Sequence, residues 1–183
     1  MTGSAEIVTS VLAWLALASH VGLVVGVVSL VFARKRFASL FQWIANNAAA
    51  IVFVVALGAT LGSFVYSNIF QFIPCDLCWY QRIFLFPQVV ILGIALVIKD
   101  KRVVLYSLAL SLFGLVIALY HWSGQLFGTG TGFCSSGIDC SKTYFLKFDY
   151  ITIPMLSVTT FAIILFVLVV QRIVEKGNKD VIR

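Results

Sequence analysis

Five long apolar stretches, separated by short polar ones, set the pattern of the chain. The first runs from Ile7 to Ala33 with His20 as its only ionisable side chain, and the second from about Asn47 to Phe70. The third runs from about Trp79 to Ile98, with Arg82 near its start and Pro87 inside it. Val103 to Trp122 and Ile151 to Val170 complete the set. Crossing a bilayer takes roughly 20 residues of helix at about 1.5 Å each, so every stretch is long enough. A lipid-exposed backbone must satisfy its own hydrogen bonds, and strand-like alternation is absent, so all five are predicted to be helices. The expected fold class is all-α, a polytopic membrane protein.

Composition agrees with that pattern. Hydrophobic residues are 61% of the 183 and charged residues 11%, a balance that excludes an ordinary water-soluble domain. The net charge of +6 would suggest nucleic acid in a soluble protein, but here the basic residues fall between spans. Arg34, Lys35 and Arg36 follow the first span, Lys99, Lys101 and Arg102 separate the third and fourth, and Arg172, Lys176, Lys179 and Arg183 follow the fifth. With five spans all three clusters share one side, expected to be cytoplasmic. The N-terminus and the loops holding the cysteines then face outward. The basic cluster after the first apolar run, and the length of that run, distinguish it from a cleavable signal and predict a retained helix.

The chemistry concentrates in four cysteines. Cys75-Asp76-Leu77-Cys78 is a C-x-x-C at the start of the third span, and Cys134 and Cys140 lie in the only long polar loop. Such pairs close disulfides or hold metal, and on the oxidising side of a membrane disulfides are the expected state. A zinc site of four cysteines is disfavoured by that location and by the wide Cys134 to Cys140 spacing, so no metal is expected. Pro74 interrupts the preceding segment, which places Cys78 at a helix N-terminus whose partial positive charge favours a thiolate. Arg82, four residues on, returns to the same face and adds a full positive charge, or else serves as an interfacial anchor. Trp79 and Tyr80 suit an aromatic belt. His20 suits helix packing, whereas His121, beside Tyr120 and Trp122 at the outer end of the fourth helix, is divided between packing and function. Gly128 to Gly132 gives Cys134 a flexible flank. Phe127, Phe133, Tyr144, Phe145, Phe148 and Tyr150 suit either the membrane surface or a partner groove. No flavin or haem motif offers an electron sink, so a lipid-soluble acceptor is the simplest one.

The run Pro74-Cys75-Asp76-Leu77-Cys78-Trp79-Tyr80-Gln81-Arg82, a cysteine pair in the next outer loop, and Ile153-Pro154 at the last span resemble the DsbB/BdbC family of membrane disulfide-forming enzymes. The resemblance covers about Asn47 to Val170. Quinone-linked enzymes of the vitamin K epoxide reductase type use similar pairs in the opposite order. What the resemblance implies is a DsbB-like four-helix bundle, here with an additional N-terminal transmembrane helix. The chain would then divide into an accessory helix and basic cytoplasmic loop (1–46), the bundle (47–171) and a cytoplasmic tail (172–183). It would be a quinone-dependent thiol oxidant of the cell membrane that reoxidises an extracytoplasmic thioredoxin-like protein of the DsbA/BdbD type, with menaquinone or ubiquinone as acceptor. By position, Cys134 would form the mixed disulfide with that partner, Cys140 would exchange with Cys75, and Cys78 would react with the quinone. Arg82 and His121 would lie at the quinone. Gln81 stands where many members have Glu, the Cys134 to Cys140 spacing is short, and the first span is an addition. The contrasting expectation is a non-enzymatic membrane protein whose disulfides only hold its outer loops.

Overall fold

The computed structural model describes residues 3–100, 102–128, 134 and 139–181, without the side chains of 178–181. Six helices follow in order: α1 (Gly3–Phe32), α2 (Ala38–Asn46), α3 (Ala48–Phe64), α4 (Asp76–Ile98), α5 (Val103–Phe127) and α6 (Ile153–Val181). A π-helical turn, Val65–Ile69, extends α3. Among the described residues there is no strand, only an isolated bridge between Lys147 and Ile151. Among the described residues five helical spans are long and apolar enough to cross a membrane, with α3 and its π turn counted as one, so the chain is a polytopic all-α membrane protein.

Four of these spans, α3 to α6, form the bundle, and its core is made of interdigitated aliphatic side chains such as Val52, Leu92, Ile164 and Leu168 around Phe161. Inside lipid, hydrophobic burial does little to hold helices together, so close approach and polar contacts matter more. Both are present. A Cβ added at Gly114 of α5 would overlap the Phe161 ring of α6. Buried Gln88 of α4 accepts from Ser107 (2.6 Å) and Ser111 (3.2 Å) of α5 and donates to its own helix at Phe84 O (2.9 Å). That cluster satisfies a polar side chain within the span and ties α4 to α5.

The fifth span, α1, runs alongside α6 in the same direction, from His20 beside Thr159 to Arg34 donating to Ile173 O at 3.1 Å. Its outer surface, including Val21, Val24, Val28 and Val31, remains exposed, as a lipid-facing side should. The segment expected to be only a basic loop contains a helix: α2 lays Phe41 and Ala45 against Val170 and Val174 of α6. Nine residues with a single apolar stripe fall well short of a span, which is why hydropathy passes over them.

Both cysteine pairs lie at one end of the bundle. Arg34 is tied to Ile173 of α6, and Arg102, Arg172 and Lys176 line one shallow pocket with Glu175 at the opposite end, matching the separation expected from the charge pattern. Lys101, Arg183 and the side chain of Lys179 lie outside the described residues.

Candidate active site

Pro74 closes an irregular stretch after the π turn, and Cys75 is the extended residue (φ −77°, ψ 175°) that leads into α4. The C-x-x-C therefore straddles a helix start, with Cys75 just before the first turn and Cys78 within it. Their sulfurs are 3.4 Å apart. Cys134 and Cys140 are joined by a disulfide, with Cα atoms 6.2 Å apart. Cys75, Leu77 and Cys140 are buried in one cluster that also includes Cys78, Cys134 and Ile117, so the two pairs, distant in sequence, pack together.

His121 of α5 joins them. Its Nε2 is 3.1 Å from the Cys140 carbonyl oxygen and 3.6 Å from Cys75 Sγ, while Nδ1 is 3.0 Å from Gln81 Nε2. A carbonyl only accepts, so Nε2 carries the hydrogen; Nδ1 of the neutral ring then accepts from the Gln81 amide. His121 thus aims an N–H at the region between Cys75 and Cys140. The Cys75 thiol is pulled down from 9.0 to about 4, first by the hydrogen bond with Cys78 and further by His121, against the opposing effect of burial. Helix position alone favoured Cys78 as the thiolate, but the His121 donor comes from α5 and falls on Cys75.

Arg82 turns into the bundle. Its Nε donates to Ser63 Oγ (2.9 Å) and its Nη2 to Ser63 O (3.3 Å) on α3, and the guanidinium lies 5.0 Å from the Trp79 ring centroid. These contacts fix a half-buried cation between α3 and α4 and distinguish it from a side chain that only snorkels to headgroups. Trp79 and Tyr80 are exposed, as suits a belt position. A cavity of about 320 Å³ is lined by Cys75, Cys78, Arg82 and His121, by Gln81, Asp139 and Lys142, and by aliphatic side chains of α1, α3 and α6 interspersed with hydroxyls such as Ser63, Ser157 and Thr160. That volume is at the lower end of the range for small-molecule sites, about 300–1,000 Å³, and a mixed lining of ionic and polar groups beside aliphatic ones suits a molecule with a polar head and an apolar body.

The aromatic residues near the loop pack within the protein. Tyr144 stacks on Phe72 at 4.6 Å and donates to Ile73 O at 2.8 Å, and Phe145 lies over Tyr66. Phe148 meets Trp14, and Tyr150 meets His20. The loop is thereby held against the segment preceding Cys75. Phe127 remains exposed, whereas Phe133 and the Gly-rich flank from Thr129 to Gly132 lie outside the described residues. Gln81 and Ser63 are the polar partners that sequence reasoning did not single out for the site. The signal available for Gln81 was a polar residue inside an apolar helix, one turn after Cys78.

The model of the family described as "Disulfide bond formation protein DsbB" matches residues 45–171. The chain belongs to the DsbB family. It is 39% identical over 131 residues to "Probable disulfide formation protein C 2" of Bacillus anthracis, covering 71% of this chain and 94% of that one. It is 46% identical over 114 residues to "Disulfide bond formation protein C" of Bacillus subtilis, covering 61% and 83%. The protein of Oceanobacillus iheyensis called "Probable disulfide formation protein" is 38% identical over 138 residues, covering 74% and 94%. No solved structure matches the chain. Family membership identifies the chain as a membrane protein of disulfide bond formation, and the matched region contains all four cysteines, Arg82 and His121 but not α1.

Proposed function

We propose that this chain is a quinone-dependent protein-disulfide oxidoreductase. It reoxidises a thioredoxin-like disulfide-forming protein outside the cytoplasm and passes the electrons to a membrane quinone, supporting disulfide formation in exported proteins. The observation that carries this reading is the packing of both cysteine pairs into one cluster, with Cys75 and Cys78 also lining the cavity.

A partner thiolate attacks Cys134, forming a mixed disulfide and releasing Cys140 as a thiolate. Cys140 attacks Cys75 of the oxidised C-x-x-C and releases Cys78, while the partner's second thiol leaves with the partner's new disulfide and frees Cys134. Attack of Cys134 on Cys140 restores the loop disulfide and leaves Cys75 and Cys78 reduced. His121 supports the exchanges by donating from Nε2 toward Cys75, where negative charge develops. A quinone, when bound, would supply a two-electron, two-proton acceptor for the Cys75 and Cys78 pair. Cys78 and Arg82 would face its head, beside aliphatic side chains of α1, α3 and α6.

The orientation supported by the charge pattern places the N-terminus and cysteine loops outside and the C-terminus inside. Impermeant thiol labelling of reduced intact cells should then reach Cys75, Cys78, Cys134 and Cys140. The decisive assay gives purified protein a reduced thioredoxin-like protein and follows reduction of a soluble quinone analogue. Turnover that depends on all four cysteines is expected, and exchange-inert cysteines without turnover would refute the reading.

A second reading has one specific observation behind it. Ligand atoms of Cys75, Cys78 and His121 lie within 4.8 Å of one another, a thiolate and imidazole set that zinc accepts. It predicts stoichiometric zinc in the purified reduced protein and no quinone reduction. The oxidoreductase reading predicts turnover that survives chelation.

A further inference from the structure

Four residues of α1, namely Leu12, Leu15, Ala16 and Ser19, line the same cavity as the cysteines, although α1 lies outside the family match. Across the cavity the wall belongs to α3, where Gly58 and Gly62 meet nothing within 4 Å of an added Cβ and so leave open space. The third wall is the outer half of α6, including Leu156 and Thr160.

The position of α1 is fixed by two polar anchors and by packing along α6. Buried Thr9 pairs with Tyr66 OH at 3.2 Å, on the π turn that extends α3. His20 pairs with Tyr150 OH at 3.0 Å and with Thr159 Oγ1 at 2.7 Å, at the start of α6. The anchors are eleven residues apart, about 16 Å along a helix. One attaches α1 to the α3 side and the other to the α6 side, so α1 bridges the opening between them. Ala13 and Ala16 pack on Ile151, and an added Cβ at Gly26 would come within 2.7 Å of Phe166, both signs of close seating against α6 and its approach. Polar side chains inside an apolar helix are costly unless paired, and both of these are paired, one on each side of the stretch from Leu12 to Ser19 that lines the cavity.

We propose that α1 is the wall of the acceptor site that holds the acceptor's apolar tail, an inference that rests on the quinone reading above. Cys75, Cys78 and Arg82, at the start of α4, and Asp139 and Lys142, in the loop between α5 and α6, line the cavity from the outer end of the bundle, where a quinone head would sit. Leu12 and Leu15 contribute aliphatic surface of the kind an isoprenoid chain takes. On this proposal α1 is part of the site, and the expectation of a merely accessory helix gives way.

The test uses the full chain in lipid nanodiscs and a quinone analogue with a photoreactive diazirine on a saturated tail. Cross-links should map between Leu12 and Ser19, and an unmodified tailed quinone should compete them away. In parallel, the double variant Leu12→Ala/Leu15→Ala should raise KM for the tailed analogue about fivefold to tenfold and leave KM for a tail-free benzoquinone unchanged. Val24→Ala, on the lipid-facing side, should change neither. Labelling of α3, α4 or α6 without α1, or equal KM changes for both quinones, would overturn this inference alone. A wild-type protein that neither reduces quinone nor is labelled would overturn the quinone reading and this inference with it.

Discussion

Gln81 Nε2 donates to Nδ1 of His121 across 3.0 Å, and this contact between α4 and α5 holds the ring with its Nε2 hydrogen toward Cys140 O and Cys75 Sγ. A glutamate at position 81 could not donate in the same way once ionised, and would favour a ring with hydrogens on both nitrogens. The orientation of His121 is therefore a property of the pair.

The Cys75 thiolate should report this pair directly. Its folded value is depressed from 9.0 to about 4, so the charged form is favoured by the fold; it persists at neutral pH and is lost as pH falls through about 4. The stabilisation that this adds to the reduced protein is fully present above 9.0 and disappears in the same acid range. Site-resolved alkylation of Cys75 in reduced protein should stay rapid down to about pH 5. His121→Ala should move the midpoint upward, and Gln81→Leu should move it less, because the ring stays but its tautomer is no longer fixed. An unchanged profile in His121→Ala would remove the histidine from the site chemistry.

The burial of Cys75 and Cys140 in one cluster predicts that they can exchange. The double variant Cys78→Ser/Cys134→Ser retains only those two thiols. Mild oxidation should join them in a Cys75–Cys140 disulfide, detected by non-reducing peptide mapping. If both remain free under conditions that oxidise the wild-type pairs, the relay between the loop and the C-x-x-C is wrong.

The spans were legible in the sequence because hydropathy and basic clusters are independent signals that agree on five crossings. α2 was not, since nine residues following Arg34, Lys35 and Arg36 read as a polar connection until Phe41 and Ala45 find α6. The site divides in the same way. Cysteines, Arg82 and His121 stand out as rare reactive or ionisable groups in an apolar chain. The roles of Gln81 and Ser63 depend on helix rotations that no local pattern specifies. Helix position pointed to Cys78 as the favoured thiolate, but the histidine donor reaching Cys75 comes from forty-six residues away.

Close helix approach gives a stability test separate from the chemistry. Gly114→Ala would force its Cβ into the Phe161 ring of α6, and should cost about 1–3 kcal/mol, as overpacking usually does. Gly93→Ala meets Phe53 at 3.4 Å, an ordinary contact, and should be close to neutral. Thermal unfolding in detergent should rank wild type and Gly93→Ala together above Gly114→Ala. A neutral Gly114→Ala would mean that α5 and α6 can separate without penalty.

Arg82 offers the sharpest division between the two halves of the proposed reaction. Its guanidinium is fixed by Ser63 on α3 and lies at the cavity, whereas the disulfide proposed to meet the partner is in the loop between α5 and α6. Arg82→Ala should therefore slow quinone-analogue reduction about tenfold to a hundredfold, the range expected for losing hydrogen bonds from a charged group, and leave thiol exchange with the partner close to wild type. Arg82→Lys should recover only part of the rate, because a single ammonium cannot hold Ser63 and face the acceptor as a planar fork does. Ser63→Ala should fall between wild type and Arg82→Ala, since the charge remains but its Oγ anchor is gone. Measuring the two half-reactions separately decides the matter: wild-type quinone kinetics in Arg82→Ala would return the residue to a structural role between α3 and α4, and a parallel loss of partner exchange would show that it supports the fold of the whole outer end.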